Sequence, residues 1–412
     1  MSDGKEIIAH LGQWEGYSVG TVRRFEAGEQ GPTPEAWIEL LPLKDRKRIC
    51  DGCGEEAPRT YDSADRWIRD LPVFDAQTHL LVPRCRVDCP RCGAHLERLS
   101  WLDRHARVTR RLAESVVRLC AVLPVKHVAQ YLGLGWDAVK AIDKSFLKEK
   151  LGPPDLSGVE VIAMDEVAIH RGHRYATVVA EPATRRVLWV GRDRSGAALR
   201  PFFDLLGEEG RKRLKAVVMD MHAPFEEEVR RQCPKSEIVY DLFHVVAKYG
   251  REVVDRVRVD EANRLKADPK QRKVIKGSRW LLLRNKENIT KPKDQVHLQE
   301  LLDANAALST AYILKDDLKH LWEFRDPALA LEFFIEWSVR AWRSGLKPLQ
   351  KFAEALATRV RGIIAHCLWP LHTSFLEGIN NKIKVIKRMA YGFRDDEYFF
   401  LKIRAAFHGN PG

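Results

Sequence analysis

Five strand-like segments between residues 158 and 241, three in direct succession and two alternating with helical stretches, predict an α/β core of the RNase H-like type. Two further features predict what is joined to it. A doubled C-x-x-C lies ahead of the strands, and a run of short helical patterns with tight corners separates the two. The expected architecture is an RNase H-like catalytic core with a helical insertion, preceded by a zinc ribbon and a helix-turn-helix. With 412 residues and 45% hydrophobic content the chain can bury more than one core. The expected division is 1–100 (strand-rich, with the ribbon), 101–152 (helix-turn-helix), 153–249 (first part of the core), 250–370 (helical insertion) and 371–412 (final core helix and C-terminus).

Taken in order, the N-terminus "MSDGKEIIAHLGQWEGYSVG" lacks a basic-then-apolar targeting pattern, and nowhere does the chain offer the roughly 18 continuous apolar residues of a membrane span. A cytoplasmic location and no membrane partner are expected. In that reducing compartment cysteine spacing points to metal rather than disulfides. "CDGCG" supplies Cys50 and Cys53, and "CPRCG" supplies Cys89 and Cys92. The Gly after each second Cys suits a tight knuckle whose N–H groups face thiolates, and four thiolates make a closed, structural Zn²⁺ site. Cys85 is a fifth thiol that competes with Cys89 for the same place, whereas Cys120, Cys233 and Cys367 are isolated.

Residues 108–151 carry three helical patterns, with Pro124 in the first turn of the second and "GLG" (133–135) as the corner before the third. In the third, Val139, Ile142 and Phe146 should pack inward. Trp136, Asp137, Lys140 and Lys144 would then meet a DNA groove.

"GVEVIAMDEVAIHRG" (158–172) reads as a strand buried on both faces yet broken by Asp165 and Glu166, and a buried carboxylate must be paired, protonated or metal-bound. Only one of the two should face a given site, which leaves Glu166 structural. "RYATVVAE" and "RRVLWVGRD" complete an antiparallel meander; "LKAVVMDM" then ends in Asp220 and "SEIVYD" in Asp241. In this architecture the first and fourth strands bring their carboxylates together and a late helix brings a third. Glu377 of "FLEGINNKIKVIKR" would lie on that helix, and Asp241 competes with Asp220 as second ligand. His244 either contacts DNA or packs, and His170 and His173 are turn or surface residues.

The runs "MDEVAIHRGHRYATVVAE", "MDM", "DLFHV" and "LEGINNKIKVIKRMAYGFRDDEYFFLKI" resemble the DDE transposases of the ISL-three insertion-sequence family, and "CDGCG", "CPRCG" and "IAHLGQWEGYSVGTVRRFEAGE" resemble its N-terminal region. The resemblance implies Asp165, Asp220 and Glu377 as the metal-binding triad and a helical insertion before the final helix. Carboxylate oxygens suit Mg²⁺ or Mn²⁺. It further implies a bacterial, nucleoid-associated enzyme that binds double-stranded DNA, both the terminal inverted repeats of its element and target DNA. Pairing two ends calls for at least a homodimer. Asn381, Lys384, Lys387 and Arg388, beside Glu377, would hold the phosphate backbone, with Asn380 or Asn381 orienting a ligand. A net charge of +12 and a pI near 9.3 fit a polyanionic partner. Two other readings remain: a recombinase using Tyr391 or Tyr398, and a non-catalytic zinc-ribbon/helix-turn-helix regulator derived from a transposase.

Overall fold

The computed structural model describes residues 2–170, 172, 174–371 and 374–409. It divides into two compact units, Met1–Gly152 with Arg388–Arg394, and Pro153–Lys387 with Asp395–Gly412.

The first unit opens with helix α1 (Ser2–Gly12), followed by strands β1 (Tyr17–Phe25), β2 (Glu35–Pro42), β3 (Ile49–Cys50), β4 (Arg59–Val73), β5 (Ala76–Cys89) and β6 (Gly93–Arg98). They form one sheet in the order β1-β2-β5-β6-β3, with β4 paired along β5 as a long antiparallel hairpin. In β5 Ala76, Thr78, Leu80 and Val82 alternate with half-exposed neighbours, so one face of the hairpin is buried. Leu80 and Val82 meet Trp14, Ile38, Leu40, Ile68 and Trp101 there. Helices α2 (Arg110–Cys120), α3 (Val125–Leu132) and α4 (Trp136–Leu151) complete the unit around Leu112, Val116, Val128, Leu132 and Val139. Gly133 ends α3 with φ 59°, the left-handed conformation a non-glycine residue resists. Pro124 is the residue capping α3, one place earlier than its spacing suggested.

One buried carboxylate ties these parts together. Asp70 on β4 is fully buried and accepts from Trp14 Nε1 (2.8 Å), Thr109 Oγ1 (2.6 Å), Arg111 Nε (2.7 Å) and its neighbour's backbone, Leu71 N (2.8 Å). Thr109 is also the N-cap of α2, so strand and helix are joined through one charge.

The second unit holds strands β7 (Val161–His170), β8 (Arg174–Glu181), β9 (Arg186–Arg192), β10 (Ala216–Met219) and β11 (Glu237–Tyr240), in the order β11-β10-β7-β8-β9. β7, β8 and β9 are antiparallel neighbours, while β10 runs parallel to both β7 and β11. Helices α5 (Gly196–Arg213) and α6 (Ala223–Gln232) form the crossovers, and α7 (Leu242–Tyr249) follows β11. All four residues of β10 are buried, as a central parallel strand requires.

A helical stretch comes next: α8 (Asp255–Arg264), α9 (Pro269–Gly277), α10 (Arg279–Leu283), α11 (Pro292–Ala304), α12 (Ala306–His320), α13 (Pro327–Arg343), α14 (Lys347–Ala357) and α15 (Val360–Ile364). α16 (Ser374–Met389) and α17 (Asp396–Ala406) close the chain. One apolar core runs without a break from Ile162, Met164 and Val217 in the sheet through Tyr249 and Val257 to Leu308, Trp337 and Phe352. Two of its polar tips are satisfied within it: Tyr249 Oη donates to Ala311 O (2.9 Å) and Trp337 Nε1 to Leu314 O (2.9 Å).

Asp70→Ala should destabilise the first unit by about 3 kcal/mol, because it strands the Arg111 guanidinium and the Trp14 and Thr109 donors. Thermal unfolding of the full chain, followed by tryptophan fluorescence, checks this; an unchanged midpoint would contradict it.

Candidate active site and metal centre

β7 and β10 pair from Val161 to Ala163 against Ala216 to Val218, and past that point β10 ends at Met219 while β7 runs on to His170. The crevice beyond their paired ends is where open α/β sheets leave room for a ligand. Met164, Asp165, Glu166, Asp220, Met221, His222, Phe225, His244, Lys248 and Arg251 line a pocket there of ≈ 190 Å³. Asp165 comes from β7 past the paired residues, and Asp220 directly follows β10.

The electrostatics of the crevice are those of an acid pair with incomplete compensation. Burial and then the charge of Asp220 push the Asp165 carboxyl up to about 6. Glu166 N donates to Asp165 Oδ1 (2.7 Å) and Asn380 Nδ2 to Asp165 Oδ2 (2.6 Å). His244 Nδ1 lies 2.7 Å from Asp220 Oδ2. Burial works to lower the His244 pKa, but the Asp220 hydrogen bond and the charges of Asp220, Asp165 and Asp241 outweigh it and raise it. Two buried oxygens, Glu166 Oε2 and Asn380 Oδ1, have no hydrogen-bond partner. Hard oxygen donors, two of them orphaned, around a strained acid pair fit a divalent cation.

Glu377 stands on α16 one turn before Asn380, with its side chain exposed. Asn380 therefore anchors to Asp165 the helix that carries Glu377, without Glu377 lining the pocket. Among the described residues, groups with ligand atoms close enough to share an ion are built around cysteine, and Asp165, Asp220 and Glu377 are not drawn together into one. On the same helix Asn381, Lys384 and Arg388 are exposed and Lys387 half-exposed; Lys384 Nζ is 3.3 Å from Asn381 Oδ1.

Glu166, expected to be structural, lines the same pocket as Asp165, and Arg194 lies 3.5 Å from its Oε1. Asp241 is buried as the N-cap of α7 and accepts from Phe243 N (3.4 Å). Tyr398 is buried and Tyr391 exposed. His170 lies 3.6 Å from Asp396, and His173 lies outside the described residues. Lys248 and Arg251 went unremarked in the sequence, although with His244 they recur at i, i+4 and i+7, the spacing of a single helical face.

In the first unit Cys50, Cys53, Cys89 and Cys92 bring their sulfurs together within ligand reach, with Cys53 and Cys89 Sγ 3.6 Å apart. Gly54 and Gly93, one after each second cysteine, have φ 78° and 73° and turn the two knuckles. Backbone N–H groups of Arg91 and Cys92 pull the Cys89 thiol down to about 7. Hydrogen bonding to Cys53, then burial, pushes Cys92 up to about 12: packed thiols share protons where a cation would stand. Cys85 is elsewhere, buried on β5 with Arg46 Nη2 at 3.4 Å, so the competition with Cys89 falls to Cys89 by position. Asp51 and His95 border the cluster, 3.3 Å apart.

On α4 the inward line is Val139, Asp143 and Leu147, with Ile142 and Phe146 half-buried. Trp136 is 49% exposed with Lys140 Nζ 5.5 Å from its ring centre, and Lys144 is half-exposed. These side chains rim the N-terminal half of the helix.

Comparison with known proteins gives the family of the chain's relatives. A family model described as Transposase, of the ISL3 type, matches residues 162–403, and one described as the helix-turn-helix domain of transposase family ISL3 matches residues 97–147. The transposase for insertion sequence element IS1001 of Bordetella parapertussis is 48% identical over 407 residues, covering 98% of this chain and 99% of that protein. The transposase for insertion sequence element IS1557 of Mycobacterium tuberculosis is 27% identical over 403 residues, covering 90% and 88%.

Two outcomes follow from these sites. Cys50→Ser or Cys92→Ser should abolish tight retention of about one Zn²⁺ per chain and unfold the ribbon, while Cys85→Ser should leave zinc content unchanged. Elemental analysis after dialysis decides it, and well-folded, metal-free native protein would refute the site. The second concerns Asp165, whose folded pKa near 6 exceeds its unfolded value of about 4. Its cost to stability therefore grows as pH rises between those values and persists above them. Asp165→Asn should raise the stability of the metal-free protein at pH 8 by ~1–2 kcal/mol, discounted for partial exposure, and leave it unchanged at pH 4. A flipped Asn380 amide can still bond the substituted side chain. A lower melting point at pH 8 would overturn the assignment.

Proposed function

The chain belongs to the ISL3 family of transposases, enzymes that cut and transfer DNA, and we propose that it acts on the ends of its own insertion sequence through divalent ions held in the β7–β10 crevice of an RNase H-like core. The observation that carries this reading is the coupled pair Asp165 and Asp220 where β10 ends beside β7, with Asn380 of α16 bonded to Asp165.

Asp165, Asp220 and Glu377 would hold Mg²⁺ or Mn²⁺. Such ions activate an attacking oxygen and stabilise a leaving one during in-line displacement at phosphorus. Two displacements suffice and neither needs a protein nucleophile. In the first, water attacks the phosphodiester at the element's end, and the bond to the 3′ oxygen breaks to release a 3′-hydroxyl. In the second, that hydroxyl attacks a target phosphodiester, the phosphate's bond to its own 3′ oxygen breaks, and the cut target strand is left with a free 3′-hydroxyl.

The chain's own side chains do the rest. Asn380 fixes the orientation of Asp165, and His244 holds Asp220 until a ligand takes its oxygen. Lys248 and Arg251 offer positive charge to the reacting phosphate from the pocket wall. Asn381, Lys384, Lys387 and Arg388 meet flanking phosphates, and Trp136, Lys140 and Lys144 read or grip terminal-repeat DNA beside the Zn²⁺ ribbon. A homodimer or larger assembly would bring two ends together, at the nucleoid in the bacterial cytoplasm. A purely regulatory, non-catalytic role is disfavoured by the retained acid pair and by the whole-chain likeness to the IS1001 transposase.

Asp165→Ala, Asp220→Ala and Glu377→Ala should each lower Mg²⁺-dependent nicking of a labelled element end by about 10³-fold or more, while gel-shift binding survives. Asp241→Ala serves as control, weakening folding or activity without mimicking a lost ligand. Full cleavage by the Glu377 variant would sink the three-acid arrangement, and loss with Asp241 but not Asp220 would move the second ligand to the neighbouring strand.

A further inference from the structure

We propose that the outward face of α13 is the seat of a two-fold, antiparallel pairing between two copies of this chain. The inference stands on that helix's surface and is independent of the carboxylate chemistry.

α13 has two apolar stripes where a surface helix needs one. Ala330, Phe334, Trp337 and Ala341 (i, i+4, i+7, i+11) face the core and are buried. Leu331, Ile335, Val339 and Trp342 (i, i+4, i+8, i+11) face away, with exposures of 37%, 54%, 41% and 50%. At roughly 100° per residue these four fall within an arc of about 80° that runs the length of the helix. Nothing else among the described residues covers them.

The occupant is selected by charge. Along one flank of the outer stripe lie Glu332 and Glu336 in the N-terminal half, then Arg340 and Arg343 in the C-terminal half, all exposed. Among the described residues Glu332, Glu336 and Arg343 have no ion pair, and Arg340 shares Asp317 at 2.6 Å. A helix whose flank changes sign halfway along is complementary to itself reversed. Two-fold antiparallel packing also sets the same flank of each copy against its counterpart, as an isologous interface demands. With the axis near Trp337, Ile335 meets Val339 of the second copy and Leu331 meets its Trp342. Glu332 then stands beside the second copy's Arg343, and Glu336 beside its Arg340, each contact occurring twice. A parallel pair would instead turn this flank toward the second copy's other flank, where Pro327 and Ser338 offer no charge to match it.

A single pair of helices, each about 25 Å long, is at the small end of specific interfaces, so association should be reversible in the micromolar range. Two copies held this way supply one catalytic unit for each end of a DNA element.

Sedimentation of the full chain from about 1 to about 100 µM should show a monomer–dimer equilibrium. Ile335→Glu, exposed in the monomer and clear of the core stripe, should shift it to monomer with unchanged thermal melting. Glu332→Arg and Arg343→Glu should each weaken self-association about tenfold or more, because each sets like charges opposite. Mixing those two variants should restore association, since every cation then meets an acid. A chain that stays monomeric throughout, a dimer indifferent to Ile335→Glu, or no recovery on mixing would overturn the proposal.

Discussion

Everything in the second unit is arranged around the point where β7 and β10 cease to pair. Where β10 ends and β7 runs on, side chains face a gap, and an acid stands on each side of it, Asp165 within β7 and Asp220 just after β10. Burial, and after it the charge of Asp220, disfavours the ionised carboxylate, which is why Asp165 holds its proton to about 6. The surroundings answer that constraint piece by piece. His244 approaches Asp220, Asn380 donates to Asp165, and Lys248 and Arg251 face the same cleft from α7 and the turn after it. None of these removes the strain, and the unpartnered oxygens of Glu166 and Asn380 remain.

The first unit solves a different problem. Around the knuckles the apolar cluster is only Cys50, Ala57, Val87 and Cys89, with Cys53 and Cys92 at its edge. So few carbon atoms cannot offset the ordering of two turns, and small domains in this position rely on metal or disulfide cross-links. The sulfurs are close enough for the former. Asp70 plays the corresponding part at the other end of the hairpin, where one charge joins β4 to the start of α2 beside the apolar packing of Leu71.

Much of this was legible in the sequence because it rests on period and spacing. Long apolar runs mark β7 and β10, apolar runs joined by a turn mark β8 and β9, and paired cysteines with a following Gly mark the knuckles. Acids at strand ends were visible too, since an ionisable residue in an apolar run has few explanations. What escaped depends on three-dimensional neighbours. Strand alternation places Glu166 on the face opposite Asp165, yet both residues line the pocket, which the strand's period alone does not reveal. Asp143 lies on the buried line of α4 because tertiary packing overrides the polarity of a single residue, and Phe146 is displaced toward solvent accordingly. The basic face of α7 had a readable spacing, but only the fold turns it toward the acids. The second stripe of α13 was likewise hidden, since both stripes together read as a plainly apolar helix.

The unbroken core of the second unit sets it apart from the first. Apolar contacts run from the sheet through the helical stretch to Cys367, so residues far apart in the chain support one another within a single cluster. The clusters of the first unit, by contrast, close within residues 8 to 142. Damage to the gene therefore has unequal results. A stop codon or frameshift inside the second unit removes part of a shared interior and leaves no stable remnant of it, while the DNA-binding portion upstream keeps its own cores intact. Broken copies would then persist as competitors for the DNA that intact copies must reach, and the element's own mutational decay would act as a brake on its spread.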